Sequence, residues 1–88
     1  MGRMTAREKI LAEMAGITSM LRGNVSAQRR TRAGREYYSL QRWKHGRNDA
    51  RYVPADKLAE VREAVRNHRR FMRLVERYVA LCEKNVGF

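Results

Sequence analysis

Residues 54–85 read PADKLAEVREAVRNHRRFMRLVERYVALCEKN, and their pattern is that of one long helix. Pro54 suits the first helical turn, where its missing amide has no partner, and Asp56 places a carboxylate near the positive end of the helix dipole. The next glycine or proline is Gly87. The sequence therefore predicts a helix over about 54–85. At roughly 45 Å, it is longer than a domain of this size is wide.

Apolar residues recur along this helix at alternating steps of three and four, the spacing that keeps one side against a partner helix. This row, the apolar seam, comprises Leu58, Val61, Val65, His68, Met72, Val75, Val79, Cys82 and Val86. A second apolar set, Phe71, Leu74, Tyr78 and Leu81, widens the apolar arc of the C-terminal half to roughly 200°. One neighbouring helix does not cover such an arc. We therefore expect a homodimer or a larger protein partner to contact Val61, Val65, His68, Met72, Val75 and Val79.

His68 is the polar member of the seam, and two interpretations stay open. A single polar group in a heptad seam sets the register of the helices or responds to pH. Alternatively, His68 lies at the edge of the seam and faces water. On the other side of the helix, arginines form a basic stripe with the same spacing: Arg62, Arg66, Arg69, Arg73 and Arg77.

The charge of the chain favours a polyanionic partner. Its 88 residues include 20 Lys and Arg against 9 Asp and Glu, a net charge of +11. Most of these cations are arginines, which bind phosphates through planar, bidentate contacts. The excess is largest in residues 24–53, with eight basic and two acidic side chains, or +6. Nucleic acid is therefore the expected partner.

Other classes are disfavoured. The single cysteine excludes an internal disulfide, and the two histidines lack zinc-ligand spacing, so we expect no metal or cofactor. There is no long apolar run for a membrane span or a signal peptide, so a cytoplasmic protein without membrane contact is expected. No nucleophile and base stand at a suggestive spacing, so we do not expect an enzyme.

The N-terminal segment has a helical pattern. Thr5 and Glu8 match the capping box, and apolar residues follow at helical spacing from Ile10 to Leu21. Gly16 weakens this helix by up to about 1 kcal/mol, and Gly23 closes it. We predict a helix over about 5–22 that covers part of the long helix.

Residues 24–53 lack this period and predict two or three short antiparallel strands. The clearest, Glu36–Lys44, alternates Tyr37 and Trp43 on one face with Tyr38 and Leu40 on the other. A turn over residues 45–49 leads into a strand over 50–53. Residues 25–31 form either a third strand, joined by a turn at 33–35, or a mobile basic arm.

Cations and aromatic rings interleave in this middle region, a mixture typical of surfaces that contact phosphates and stack on bases. In the alternative interpretation these side chains are purely structural: Tyr38, Leu40 and Tyr52 form the core, and the arginines are solvated on the surface. Some arginines of the long helix would extend the surface. The predicted nucleic-acid contacts are Arg29, Arg30, Arg32, Arg35, Tyr37, Arg42, Trp43, Lys44, Arg47, Arg51, Arg62, Arg66, Arg69 and Arg73.

Several short motifs resemble a family of small prokaryotic proteins often described as, or encoded beside, transposases. They are Arg22-Gly23 after an apolar helix, the strand from Arg35 to Leu40, and Arg51-Tyr52-Val53-Pro54 before a helix containing Asn67-His68-Arg69-Arg70. Members of that family carry a cysteine cluster before the tyrosine strand. In this sequence the corresponding segment has no cysteine and is rich in arginine. The resemblance implies a mobile-element or nucleic-acid setting, without a metal knuckle.

Together these patterns predict one α+β domain over residues 1–88, with a helix, a hairpin or three-stranded meander, and a long helix. The leading functional hypothesis is backbone and shape recognition of nucleic acid, with DNA favoured over structured RNA on the resemblance alone. The alternative is a protein-interaction adaptor or oligomerisation subunit that docks through the apolar seam.

Overall fold

The computed structural model describes residues 3–29 and 36–88, and it has the predicted α+β arrangement of helix, three-stranded sheet and long helix. In chain order the elements are α1 (Ala6–Gly16), β1 (Asn24–Arg29), β2 (Glu36–Lys44), β3 (Arg47–Val53), a 3₁₀ turn (Ala55–Lys57) and α2 (Leu58–Val86). Pro54 precedes the 3₁₀ turn with extended backbone, and Gly87 closes α2 in the left-handed conformation at φ 75°.

The first helix begins where the capping box predicted, because Thr5 Oγ1 accepts a hydrogen bond from the Glu8 amide at 3.1 Å. The prediction that it extends to residue 22 is wrong, since α1 ends at Gly16. Residues 17–22 instead run along α2. The Leu21 amide donates to the Ala64 carbonyl at 3.1 Å, and Asn67 Nδ2 donates to the Ser19 carbonyl at 3.0 Å. These contacts replace the helical bonds that a flexible glycine made weak.

The sheet has the strand order β1-β2-β3 and is antiparallel throughout. The predicted turn over residues 45–49 is too long, because β2 and β3 are joined by His45 and Gly46 alone. Both have positive φ, 53° and 74°, as a two-residue type I′ turn requires. Arg47 therefore already pairs with Lys44. Pairing of β1 with β2 confirms the third strand as far as Arg29, whereas the predicted turn at 33–35 lies outside the described residues.

A small core lies between α2 and one face of the sheet. Leu40, Val53 and Val65 are each 4% exposed and contact one another, and Tyr38 and Val61 pack around them. Val65 is buried and Val61 is partly buried against the chain's own sheet, so these two seam positions are already covered within the chain, and the contact of the seam with a partner stays a prediction. Tyr52, which the purely structural interpretation placed in the core, is 66% exposed.

The C-terminal half of α2 is covered on one side only. Helix α1 packs there as predicted: Ile10 and Leu74 are buried, and Glu13 forms an ion pair with Arg70 at 3.6 Å. The rest of the apolar seam is open. Exposed fractions are 46% for Met72, 43% for Val79 and 77% for Val86.

Gly23 lies close to the backbone of β2, so its replacement is predicted to destabilise the fold. Its φ is +124°, and a Cβ there would lie 2.5 Å from the Gln41 carbonyl oxygen. We expect Gly23→Ala to lower the free energy of unfolding by about 3 kcal/mol, measured by thermal or urea denaturation.

Gly16→Ala is the matched control, because its Cβ would meet nothing within 4 Å. Alanine at this helical position should stabilise the protein by about 0.5 kcal/mol. Equal effects of the two substitutions would contradict the close approach of Gly23 to β2.

Candidate nucleic-acid interface

Four cations lie on the inner face of the β2–β3 hairpin, the face that also carries the core. Side chains alternate along a strand, so Arg42 and Lys44 share the face of Leu40, and Arg47 and Arg51 share the face of Val53. In register, Lys44 is opposite Arg47, Leu40 is opposite Arg51, and Arg42 is opposite Asp49. We call this group the hairpin cations: Arg42, Lys44, Arg47 and Arg51.

The hairpin cations are poorly compensated. Within residues 3–29 and 36–88, ion pairs join only Lys57 to Glu60 and Arg70 to Glu13. Asp49 is the one carboxylate among residues 38–53, the part in which β2 and β3 pair, so this part of the hairpin carries a net charge of +3. Lys44, Arg47 and Arg51 are exposed, and Arg42 is half-buried with its Nε lacking a hydrogen-bond partner. Exposed cations without carboxylate partners are available to phosphate groups.

Aromatic rings occupy the opposite, outer face of the sheet. Trp43 is 75% exposed and Tyr52 is 66% exposed. Tyr37 lies beside Tyr52, with ring centroids 6.2 Å apart and planes tilted by 38°. The cations and rings that interleave in sequence are thus separated on two faces. Tyr37 and Trp43 do share a face, as the alternation predicted.

The predicted arginines of α2 fall into two groups. Arg62 lies 5.0 Å from the centre of the Tyr38 ring, and Arg69 donates from Nη2 to Asn24 Oδ1 at 2.8 Å. Both therefore help to hold the sheet on α2. Arg66 and Arg73 are exposed, and neither forms an ion pair with another described residue. The side chains of these two arginines are therefore open to solvent.

Part of the predicted surface cannot be placed. Arg30, Arg32 and Arg35 lie outside the described residues. The backbone of Arg29 ends β1 and pairs with Glu36 at the neighbouring end of β2.

Tyr52 is the candidate residue that the sequence-based set omitted. The signal was present, because Val53 is an apolar residue entering the core and its predecessor in a strand must face the other way. The bond between Arg69 and Asn24 had no comparable signal, since it joins residues 45 positions apart.

The remaining candidate groups do not converge. His45 lies in the hairpin turn, and His68 and Cys82 are half-buried on α2. Among the described residues, no three His, Cys, Asp or Glu side chains are grouped as a metal site. None of the helices found over these residues is both long and apolar enough to cross a membrane.

Comparison with known proteins gives no match to a family model, a curated protein or a solved structure. The resemblance to the transposase-associated family stays a prediction.

Proposed function

We propose that this protein binds nucleic acid through the hairpin cations. The observation that carries the proposal is a net charge of +3 over residues 38–53 of a short hairpin, in which Lys44, Arg47 and Arg51 are exposed and form no ion pair with another described residue. A protein gains little stability by placing like charges opposite each other, as Lys44 and Arg47 are. Their positions are explained if they neutralise phosphates.

Arg66 and Arg73 on α2 would add phosphate contacts to this surface. Backbone contacts fix a protein on nucleic acid without specifying the base sequence. The proposed recognition is therefore of charge and shape. A DNA ligand and a role as an accessory of a mobile element or nucleoprotein complex in the cytoplasm belong to the same proposal, motivated by the family resemblance.

A salt series on the intact protein tests this function. Labelled single-stranded DNA, its duplex and a structured RNA hairpin are each titrated at 50 and 200 mM salt, with fluorescence anisotropy as the signal. With three to five phosphate contacts, affinity for the duplex should fall by about 40- to 500-fold across this range. Absence of binding to all three ligands at 50 mM salt would overturn the proposal.

A second candidate function is association with another copy of this chain through the open half of the seam. The chain exposes 7593 Å², whereas a compact monomer of its mass exposes about 5,400 Å². Its radius of gyration is 18.2 Å, against about 12 Å for a compact domain of this length. The excess of about 2,000 Å² exceeds the roughly 800 Å² that each partner buries in a standard interface.

The sheet restricts how two copies can meet. It covers the seam at Val61 and Val65, so the open part runs from Met72 to Val86. In a parallel dimer both sheets would compete for the space between the two helices. We therefore propose an antiparallel contact, in which each sheet lies beyond the C-terminal end of the partner helix. A larger protein docking on this half of the seam is the alternative outcome.

A further inference from the structure

The outer face of the sheet carries exposed aromatic rings among uncharged side chains. Strand alternation and register place these residues on it: Asn24, Ser26, Tyr37, Ser39, Gln41, Trp43, Asn48, Ala50 and Tyr52. None of these side chains is charged, although the chain as a whole carries +11. Gln41 Nε2 donates to Ser26 Oγ at 3.1 Å, whereas the neighbouring Ser39 is 4% exposed and its Oγ lacks a hydrogen-bond partner among the described residues. The outer face is therefore an uncharged surface that carries aromatic rings.

Folding alone does not account for the rings. Trp43 and Tyr52 leave 75% and 66% of their surfaces in water, and a large exposed aromatic contributes little to stability in that position. Tyr37 lies against Tyr52 and so limits the movement of its ring. Exposed aromatic rings on the face of a sheet are the kind of surface on which successive unpaired bases stack.

The spacing of the rings suits separate bases. Tyr52 pairs with Ser39, and Trp43 lies four residues further along β2, so the two rings are about 14 Å apart. One base cannot stack on both. In a duplex, bases are stacked on each other along the strand and their faces are covered, so only unpaired bases can use these rings.

Cations border the same surface. β3 is an edge strand of the sheet, and along it Arg47, Asp49 and Arg51 alternate with the outer-face residues Asn48, Ala50 and Tyr52, which leaves this edge with a net charge of +1. A strand of nucleic acid whose bases lie on the outer face can therefore direct its phosphates toward this edge. The hairpin cations and the aromatic rings can then bind the same ligand, although they lie on opposite faces of the sheet.

We infer that the outer face binds unpaired bases, so that the preferred ligand is single-stranded nucleic acid, with Trp43 and Tyr52 each stacking on one base. The inference rests on the proposed function and names its class of ligand. The preference for DNA over structured RNA, which derived from the family resemblance, stays a separate prediction.

Trp43 is the single tryptophan of the chain, so its fluorescence reports on this site alone. The intact protein is titrated with a 16-nucleotide single-stranded DNA, the matching RNA, the DNA duplex and inorganic polyphosphate. Both single strands should quench Trp43, and polyphosphate should not. Trp43→Ala should lower single-strand affinity, measured by anisotropy, by about tenfold, with no change in melting temperature and less than a twofold change in duplex affinity.

Phe88→Ala is the matched control, since Phe88 is a fully exposed aromatic at the far end of α2. It should leave all affinities unchanged. Tyr52→Ala should repeat the effect of Trp43→Ala and keep partial quenching by the base that stacks on Trp43. Unchanged single-strand affinity in both sheet variants, with duplex binding intact, would overturn this inference and leave the proposed function standing. Loss of binding to every ligand by wild-type protein would overturn both.

Discussion

Replacing Lys44, Arg47 and Arg51 together by glutamine is expected to lower affinity for nucleic acid by about 10²- to 10³-fold at 0.1 M salt. Each neutralised phosphate releases close to one counterion, so the loss of three phosphate contacts lowers the association constant by a factor of this size. The three side chains are exposed and form no ion pair with another described residue. The melting temperature should therefore change little, and removing the repulsion between Lys44 and Arg47 should raise it if anything.

The matched control removes the same charge elsewhere. Arg3, Arg7 and Lys9 are exposed near the start of α1, and their triple replacement by glutamine keeps the net charge equal to that of the hairpin variant. We expect it to change affinity by less than about fivefold. Equal losses in the two triple variants would show that general charge, and not the hairpin, attracts the ligand.

Replacing Val75 and Val79 by aspartate should abolish association of the chain with itself. In the proposed dimer these side chains are buried, and each buried, unpaired carboxylate costs several kcal/mol. The dissociation constant should therefore rise by at least about 10³-fold, measured by sedimentation equilibrium. In an isolated chain the same change costs little, because Val79 is 43% exposed and Val75 is only half-buried.

Ala55→Asp with Ala59→Asp provides the control, since both alanines are exposed, in the 3₁₀ turn and at the start of α2, away from the open part of the seam. This variant adds the same two charges and should sediment like wild type. A wild-type chain that remains monomeric at high micromolar concentration would refute the dimer. Mild oxidation tests the orientation: an antiparallel contact centred on Val79, the middle of the open seam, places the two Cys82 residues roughly 9 Å apart along the helices. This is too far for a disulfide, so its ready formation would contradict that contact.

Local signals predicted the positions of most elements. The Thr5 cap, the apolar spacing from Leu58 to Val86 and the closure at Gly87 act within a turn or two of the chain. The end of α1 was not predictable in this way. It depends on hydrogen bonds from Leu21 and to Ser19 that reach α2, more than forty residues away. Tertiary contacts there override the apolar spacing that favoured a helix as far as residue 22.

The sequence predicted which residues belong to the candidate interface better than it predicted how they are arranged on the two faces of the sheet. Charge counting located the hairpin, and strand alternation placed Tyr37 with Trp43. The turn length was the part of the hairpin predicted wrongly, because it depends on a positive φ at His45, which few residues other than glycine adopt. Once the two-residue turn is known, Arg47 and Arg51 fall on the face of Val53 and Tyr52 falls on the other.

The uses of the α2 arginines also depended on the fold. Equal spacing suggested one stripe with one purpose, yet Arg62 lies over Tyr38 and Arg69 binds Asn24. Both partners come from the sheet, so the sequence of the helix alone does not distinguish these two from Arg66 and Arg73.

The dependence of affinity on salt tests the central claim most directly. The logarithm of the association constant for a DNA duplex is measured against the logarithm of salt concentration, for wild type and for the Lys44, Arg47 and Arg51 triple glutamine variant. Each lost phosphate contact reduces the magnitude of the slope by about 0.9. Phosphate binding by the hairpin predicts a variant line shallower by about 2.7. Two parallel lines, or a wild-type protein with no affinity at 50 mM salt, would contradict it.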